Sequence, residues 1–152
     1  EFDLAALARN TVAAVAERGA SAGRPLRCTV TIPDNLTLLS DREKMGQILE
    51  NVIQNGADAM KEDGSMEVAA RVEGEHAVIV VEDEGCGMDE ETRRKAFDSF
   101  FTTKPKGTGL GLAIVARLVE VLRGTVSIES EVGRGSTVTL RIPLRPPGEA
   151  HG

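Results

Sequence analysis

Strand-like stretches in this chain come in pairs, each pair set between helices, and this spacing restricts the fold more than any other feature of the sequence. Residues 3–18 place Leu4, Leu7, Ala8, Val12 and Val15 near helical spacing, and the small residues and proline of 19–25 end that pattern. Segment 26–32 is β-rich, Pro33-Asp34-Asn35 is a turn, and 36–39 returns as a short second strand. Ser40 or Asp41 caps a long helix over 42–60, whose apolar stripe of Met45, Ile48, Leu49, Val52, Ile53 and Met60 needs a sheet to pack on. Two antiparallel strands follow, 65–72 and 76–82, joined by Glu73-Gly74-Glu75. A short charged helix covers 89–97, the aperiodic stretch 99–107 reads as a mobile loop, and 109–122 is an apolar helix ended by Gly124. Strands at 125–130 and 136–142 meet through Gly133-Arg134-Gly135, and the chain from Pro143 on reads as a frayed end. Parallel βαβ alternation would put single strands between helices. Paired strands predict an α+β fold, a two-layer sandwich of a mixed, mostly antiparallel sheet with about three helices on one face.

The chain has 152 residues, enough for one core, and we assign 1–145 to a single domain and 146–152 to a flexible tail. With four Phe and no Trp or Tyr, that core must be aliphatic. A net charge of −6 argues against a nucleic-acid partner or an anionic membrane surface. No unbroken apolar run, 77–81 included, is longer than five residues, too short to span a bilayer, and nothing at the start resembles a signal peptide, so the domain is expected in the cytoplasm and not embedded in a membrane. Glu1 and Phe2 fit the remnant of a cut site on a fragment of a longer protein. Cys28 and Cys86 lack a CxxC spacing and read as free thiols in a reducing compartment, a disulfide between them being the alternative.

Three constellations carry chemistry. Asn51 and Asn55 lie four residues apart on one face of the long helix, beside its apolar stripe. As an isolated pair they would bond each other or nearby backbone, but an amide oxygen there also suits Mg²⁺, a hard ion that shares its shell with phosphates and water. Asp83-Glu84-Gly85-Cys86-Gly87-Met88 sets a carboxylate at a strand end before two glycines. It is either a tight turn with a solvated acid or a fixed acceptor for the exocyclic amine of adenine, with glycines that let a flat base approach the backbone. Gly107-Thr108-Gly109-Leu110-Gly111-Leu112 opens a helix, preceded by Lys104 and Lys106, and its amides form an anion site. Glu129 falls where a dinucleotide-binding acid would, yet the spacing is GxGxG and no strand precedes it, and no GxxxxGK[ST] occurs. Gly133-Arg134-Gly135-Ser136-Thr137 is either merely a hairpin with two turn glycines or one whose Thr137 hydroxyl also bonds a base or a bridging water.

In this order, NxxxN, DxGxG, the Phe-rich loop segment, GTGLGLA and GRGST resemble the catalytic ATP-binding domain of sensor histidine kinases, and TTKPKGTGLGLAIVARLVE is similar to the subgroup of nitrogen-regulation sensors. The resemblance implies a Bergerat fold with ATP between the long helix, a lid and the sheet. It places Asn55 on Mg²⁺ as the metal ligand, with Asn51, Asn55 and Lys104 as the catalytic groups around the phosphates. Asp83 would read adenine, with Gly85 and Gly87 under the base and Met88 beside them. Phe100 or Phe101 would anchor the lid, and Thr103, Lys104, Gly107, Thr108, Gly109, Leu110, Gly111 and Leu112 would line the lid and phosphate cradle. Thr137 would complete the adenine contacts. Gly56 replaces a usual Ala, a change worth about 1 kcal/mol of helix propensity, and Asp58 stands where many members carry a basic residue reaching the phosphates.

Related ATPases place a Glu, as the base that activates water, where this chain has Asn51. Glu50 is one residue off and rotated by about 100°. Serine kinases that share the fold also carry that Glu, and a non-catalytic nucleotide sensor is the third alternative. Neither His76 nor His151 sits on a charged helix that could receive phosphate. The resemblance therefore implies an acceptor histidine on the protein's own upstream dimerisation domain, and a response regulator downstream.

Overall fold

The computed structural model describes residues 1–21, 23, 26–59, 65–85, 87–88, 90–94 and 111–145. Strand β1 (Phe2–Asp3) leads directly into helix α1 (Leu4–Ser21), where the Asp3 carboxylate accepts from the Ala6 amide at 3.3 Å as an N-cap. Strands β2 (Cys28–Thr31) and β3 (Thr37–Leu38) precede helix α2 (Arg42–Ala59), capped by Asp41 through the Lys44 amide at 3.0 Å. Next come β4 (Met66–Glu73), β5 (His76–Asp83), the short α3 (Glu90–Arg94), α4 (Gly111–Val121), β6 (Thr125–Glu131) and β7 (Gly135–Pro143).

The main sheet runs β2-β4-β5-β7-β6, antiparallel throughout except for the parallel β2–β4 edge. Helices α1, α2 and α4 cover one face in that order, with α1 beside β2, α2 over β5 and β7, and α4 against β6. Each helix turns its apolar stripe to the sheet. Leu4, Met45, Ile48, Leu49 and Ile53 from the helices meet Val68, Ile79 and Leu140 from the strands, all fully buried. This is the expected α+β sandwich.

Two local expectations fail. Strand β3 does not return along β2 but pairs with β1, Phe2 opposite Leu38, so Phe2 packs on the core and belongs to the domain. Pro143 ends β7, and Leu144 is tied on both sides, to the Leu39 amide at 2.8 Å and the Glu75 carbonyl at 2.8 Å, so the chain is not frayed there. The proposed tail 146–152 lies outside the described residues.

Cys28 is a free thiol, and Cys86 lies outside the described residues. Burial, and secondarily the charge of Glu67, push the Cys28 thiol up to about 11 from 9.0. The folded state thus holds the proton more tightly than the unfolded chain, so this group's stabilisation is complete below pH about 9 and is lost as pH rises toward about 11. Alkylation of Cys28 at pH 8, followed by peptide-resolved mass spectrometry, is expected to run about a hundredfold slower than in the unfolded chain. Equal rates would contradict the burial.

Candidate functional site

The buried carboxylate of Asp83 closes β5. It is 7% exposed, the only charged side chain among the buried residues described. Alternation along β5 puts Ala77, Ile79, Val81 and Asp83 on the helix-covered face. Its Oδ1 accepts from the Gly85 amide at 2.9 Å, which fixes the carboxylate at the strand end. Its Oδ2 faces α2, since a Cβ added to Gly56 would lie 3.3 Å from it. The same Cβ would come within 2.6 Å of the Met66 methyl, and Met66 is the register partner of Asp83. The glycine in place of a family alanine is thus matched by a methionine whose flexible end fills the room.

One glycine of the Asp83 turn has a packing role as well. Gly87 has φ +70°, and a Cβ there would lie 2.0 Å from the Glu131 carbonyl oxygen at the end of β6. Its missing side chain admits the backbone of Glu131. Gly135, with φ +100°, is the mirror case, its absent Cβ directed 2.0 Å from the Asp83 carbonyl oxygen. The strand end, the Gly-rich turn and the β6–β7 hairpin therefore dock through two glycine contacts. Met88 joins them, its amide donating to Ser130 Oγ at 2.8 Å.

Thr137 falls outside this cluster. Residues opposite each other in an antiparallel pair share a face, and Thr137 pairs with exposed Glu82 on the uncovered side of the sheet. Ser136 pairs with Asp83 and with Ser130, and its Oγ lies 2.7 Å from Ser130 Oγ. The hydroxyl that shares a face with Asp83 is therefore that of Ser136. Strand parity was the signal for it, because Ser136 is in step with apolar Val138, Leu140 and Ile142, and Thr137 with Thr139 and Arg141.

On α2 the buried residues centre on Met45, Leu49, Val52 and Gly56, and Asn55 and Asn51 follow one another along one flank. Asn55 is half-buried; the Asn51 amide donates to the Gln47 carbonyl at 2.9 Å, one turn back on the same helix. Asp58 accepts from Gln54 Nε2 at 2.8 Å. Glu50 lies on the other flank, facing α1, where Arg18 pairs with it at 3.1 Å and also donates to Gln54 at 3.0 Å. Gly111 begins α4, and Leu112 turns into the core at 9% exposure, so only its backbone is placed to meet a ligand. Phe100, Phe101, Thr103, Lys104, Gly107, Thr108, Gly109 and Leu110, and with them the proposed lid, lie outside the described residues. No described helix is long and apolar enough to cross a membrane.

A five-stranded mixed sheet under three helices, with one buried aspartate at a strand end beneath the central helix, defines a Bergerat-type nucleotide domain. Residues 40–146 match the family described as histidine kinase-, DNA gyrase B- and HSP90-like ATPases, and the chain belongs to that family. Among curated relatives it is 38% identical to sporulation kinase C of Bacillus subtilis (strain 168) over 74% of its length, and 35% identical to the sensor histidine kinase ZraS of Escherichia coli (strain K12) over 93%. It spans only 26% and 30% of those two proteins. Among solved structures, the nucleotide-free catalytic domain of histidine kinase ThkA superposes with a TM-score of 0.83 at 28% identity, covering 95% of each chain. The chain is thus homologous to histidine kinase catalytic domains. Its relatives span several kinds of sensor kinase, so they mark no nitrogen-regulation subgroup.

Proposed function

We propose that this domain binds ATP with Mg²⁺ at the end of β5 and donates the γ-phosphate to a histidine on a separate dimerisation domain in the cytoplasm, from which a response regulator takes it. The observation that carries the reading is Asp83, a fixed and buried acceptor in a domain of the histidine kinase family. Such a carboxylate accepts from the exocyclic amine of adenine, where guanine presents a carbonyl.

Among the described residues no three His, Cys, Asp or Glu side chains converge on one point. Mg²⁺ takes oxygen donors and shares its shell with phosphates and water, and Asn55, half-buried on the flank of α2, is the residue that would hold it. Bound there, Mg²⁺ would neutralise charge on the phosphates. Hydrolysis by water needs a general base on this flank, and the nearest glutamate on α2, Glu50, is turned to Arg18. This favours transfer to a partner over the ATPase alternative.

Asn55→Ala is expected to abolish the Mg²⁺ dependence of ATP binding while adenosine still binds. Calorimetry with and without Mg²⁺ tests it, and an unaltered metal response would remove Asn55 from the site.

A further inference from the structure

Gly56 on α2 leaves a gap over the end of the sheet, and the side chain that reaches into it is Met66 of β4. A Cβ at Gly56 would lie 2.6 Å from the Met66 methyl, 3.3 Å from its sulfur and 3.3 Å from Asp83 Oδ2, so the thioether end and the carboxylate border one small space. Both residues are buried, Met66 at 3% exposure. The Met66 backbone is fixed. Its amide donates to the Arg27 carbonyl at 2.8 Å, and the residue is in register with Cys28 of β2 on one side and Asp83 of β5 on the other.

Only the end of the side chain is left to adjust the space. Methionine is unbranched, turns about three bonds and fills irregular gaps. Residues in register share a face of the sheet, so Met66 stands between Asp83 and Cys28 on the helix-covered face, and the smaller neighbour is half-buried Cys28. A β-carbon at position 56 would behave differently, because the helix backbone carries it and it cannot turn aside.

We propose that Met66 is a specificity-determining residue of the adenine site: paired with Gly56, its thioether end is a movable wall beside Asp83 that admits a small alkyl group on the exocyclic amine of the base. The inference rests on the purine reading above and adds the wall that sets which amines fit. An amine bearing one alkyl group still has an N–H for the carboxylate. Such a substituent keeps the hydrogen bond and asks only for space, which the Met66 methyl yields by turning toward Cys28.

The test is calorimetric titration of the domain with Mg²⁺ and either ATP or ATP methylated on its exocyclic amine. Wild type is expected to bind the two within about fivefold of each other. Gly56→Ala puts a fixed carbon in the space and is expected to weaken the methylated nucleotide about tenfold relative to ATP, as overpacking by one methyl group does. Alanine also favours the helix, so this variant folds. Met66→Ala empties the space, and ATP benzylated on the same amine is expected to bind it at least about tenfold more tightly than it binds wild type. Gly56→Ala decides alone if Met66→Ala does not fold. Stronger discrimination by wild type against the methylated nucleotide, or an unchanged ratio in Gly56→Ala, overturns the proposal. So does a folded Met66→Ala that gains nothing for the benzylated nucleotide. Equal loss of both nucleotides in Gly56→Ala would mean that the pair only holds the fold, and overturns it as well. A wild-type domain that binds neither nucleotide overturns the purine reading itself, a result distinct from the others.

Discussion

Asp83→Asn is expected to weaken ATP binding by about tenfold to a hundredfold without unfolding the domain. The carboxylate is buried, its Oδ1 is held by the Gly85 amide, and its Oδ2 lies under α2. A hydrogen bond to a charged group contributes about 1.5–3 kcal/mol, and in the variant the amide NH₂ can face the amine of the base with a second donor. Calorimetry measures the loss. Urea unfolding separates it from instability, because Asn keeps the size of Asp and can accept from the Gly85 amide. Wild-type affinity for ATP in the variant would take Asp83 out of the site.

The second large effect is on stability. Gly135→Ala is expected to cost about 3–5 kcal/mol, because a Cβ would meet the Asp83 carbonyl oxygen at 2.0 Å and the backbone has φ +100°. Neither partner is the free end of a side chain, so the strand end or the hairpin must move. Gly74→Ala is the control. Gly74 also has positive φ, +60°, but nothing lies within 4 Å of its Cβ direction, so only the backbone strain of about 1–2 kcal/mol applies. Urea melts of the two variants should differ by at least about 1 kcal/mol. Equal costs would mean that the glycine docking of the hairpin onto Asp83 is loose.

Most of the fold was legible because its signals are local. The apolar stripe of α2, the Glu73-Gly74-Glu75 turn and the alternation of β5 each specify their element within a few residues, and the paired strands then imply the sandwich. What was missed depends on contacts distant in sequence. The pairing of β3 with β1 rather than β2 joins Phe2 to Leu38, and nothing near either residue encodes that choice.

The candidate site divides in the same way. Asp83 and the glycines stand out in sequence, but the contact that Gly87 makes with Glu131, more than forty residues on, is not legible there. The GRGST motif points to the Thr137 hydroxyl, whereas strand parity, which is local, puts Ser136 on the face of Asp83. Gly56 looked like a weakened helix because its complement, Met66, sits on another element. The phosphate side of the site, from Phe100 to Leu110, rests on the sequence motif alone.

Phosphoryl transfer needs a nucleophile in line with the γ-phosphate and relief of its charge, and the described histidine, His76, does not stand at the Asp83 site. His76 opens β5 at the opposite end of the strand from Asp83, and His151 lies outside the described residues. The most direct measurement is incubation of the domain with Mg²⁺ and γ-labelled ATP, alone and with the histidine-bearing dimerisation domain of the same full-length protein. The account predicts very slow hydrolysis and no label on the domain alone. In the mixture it predicts an acid-labile, base-stable phosphoramidate on the added domain only. Rapid turnover of ATP by this domain by itself, or an acid-stable phosphate on a serine of a partner, would contradict it.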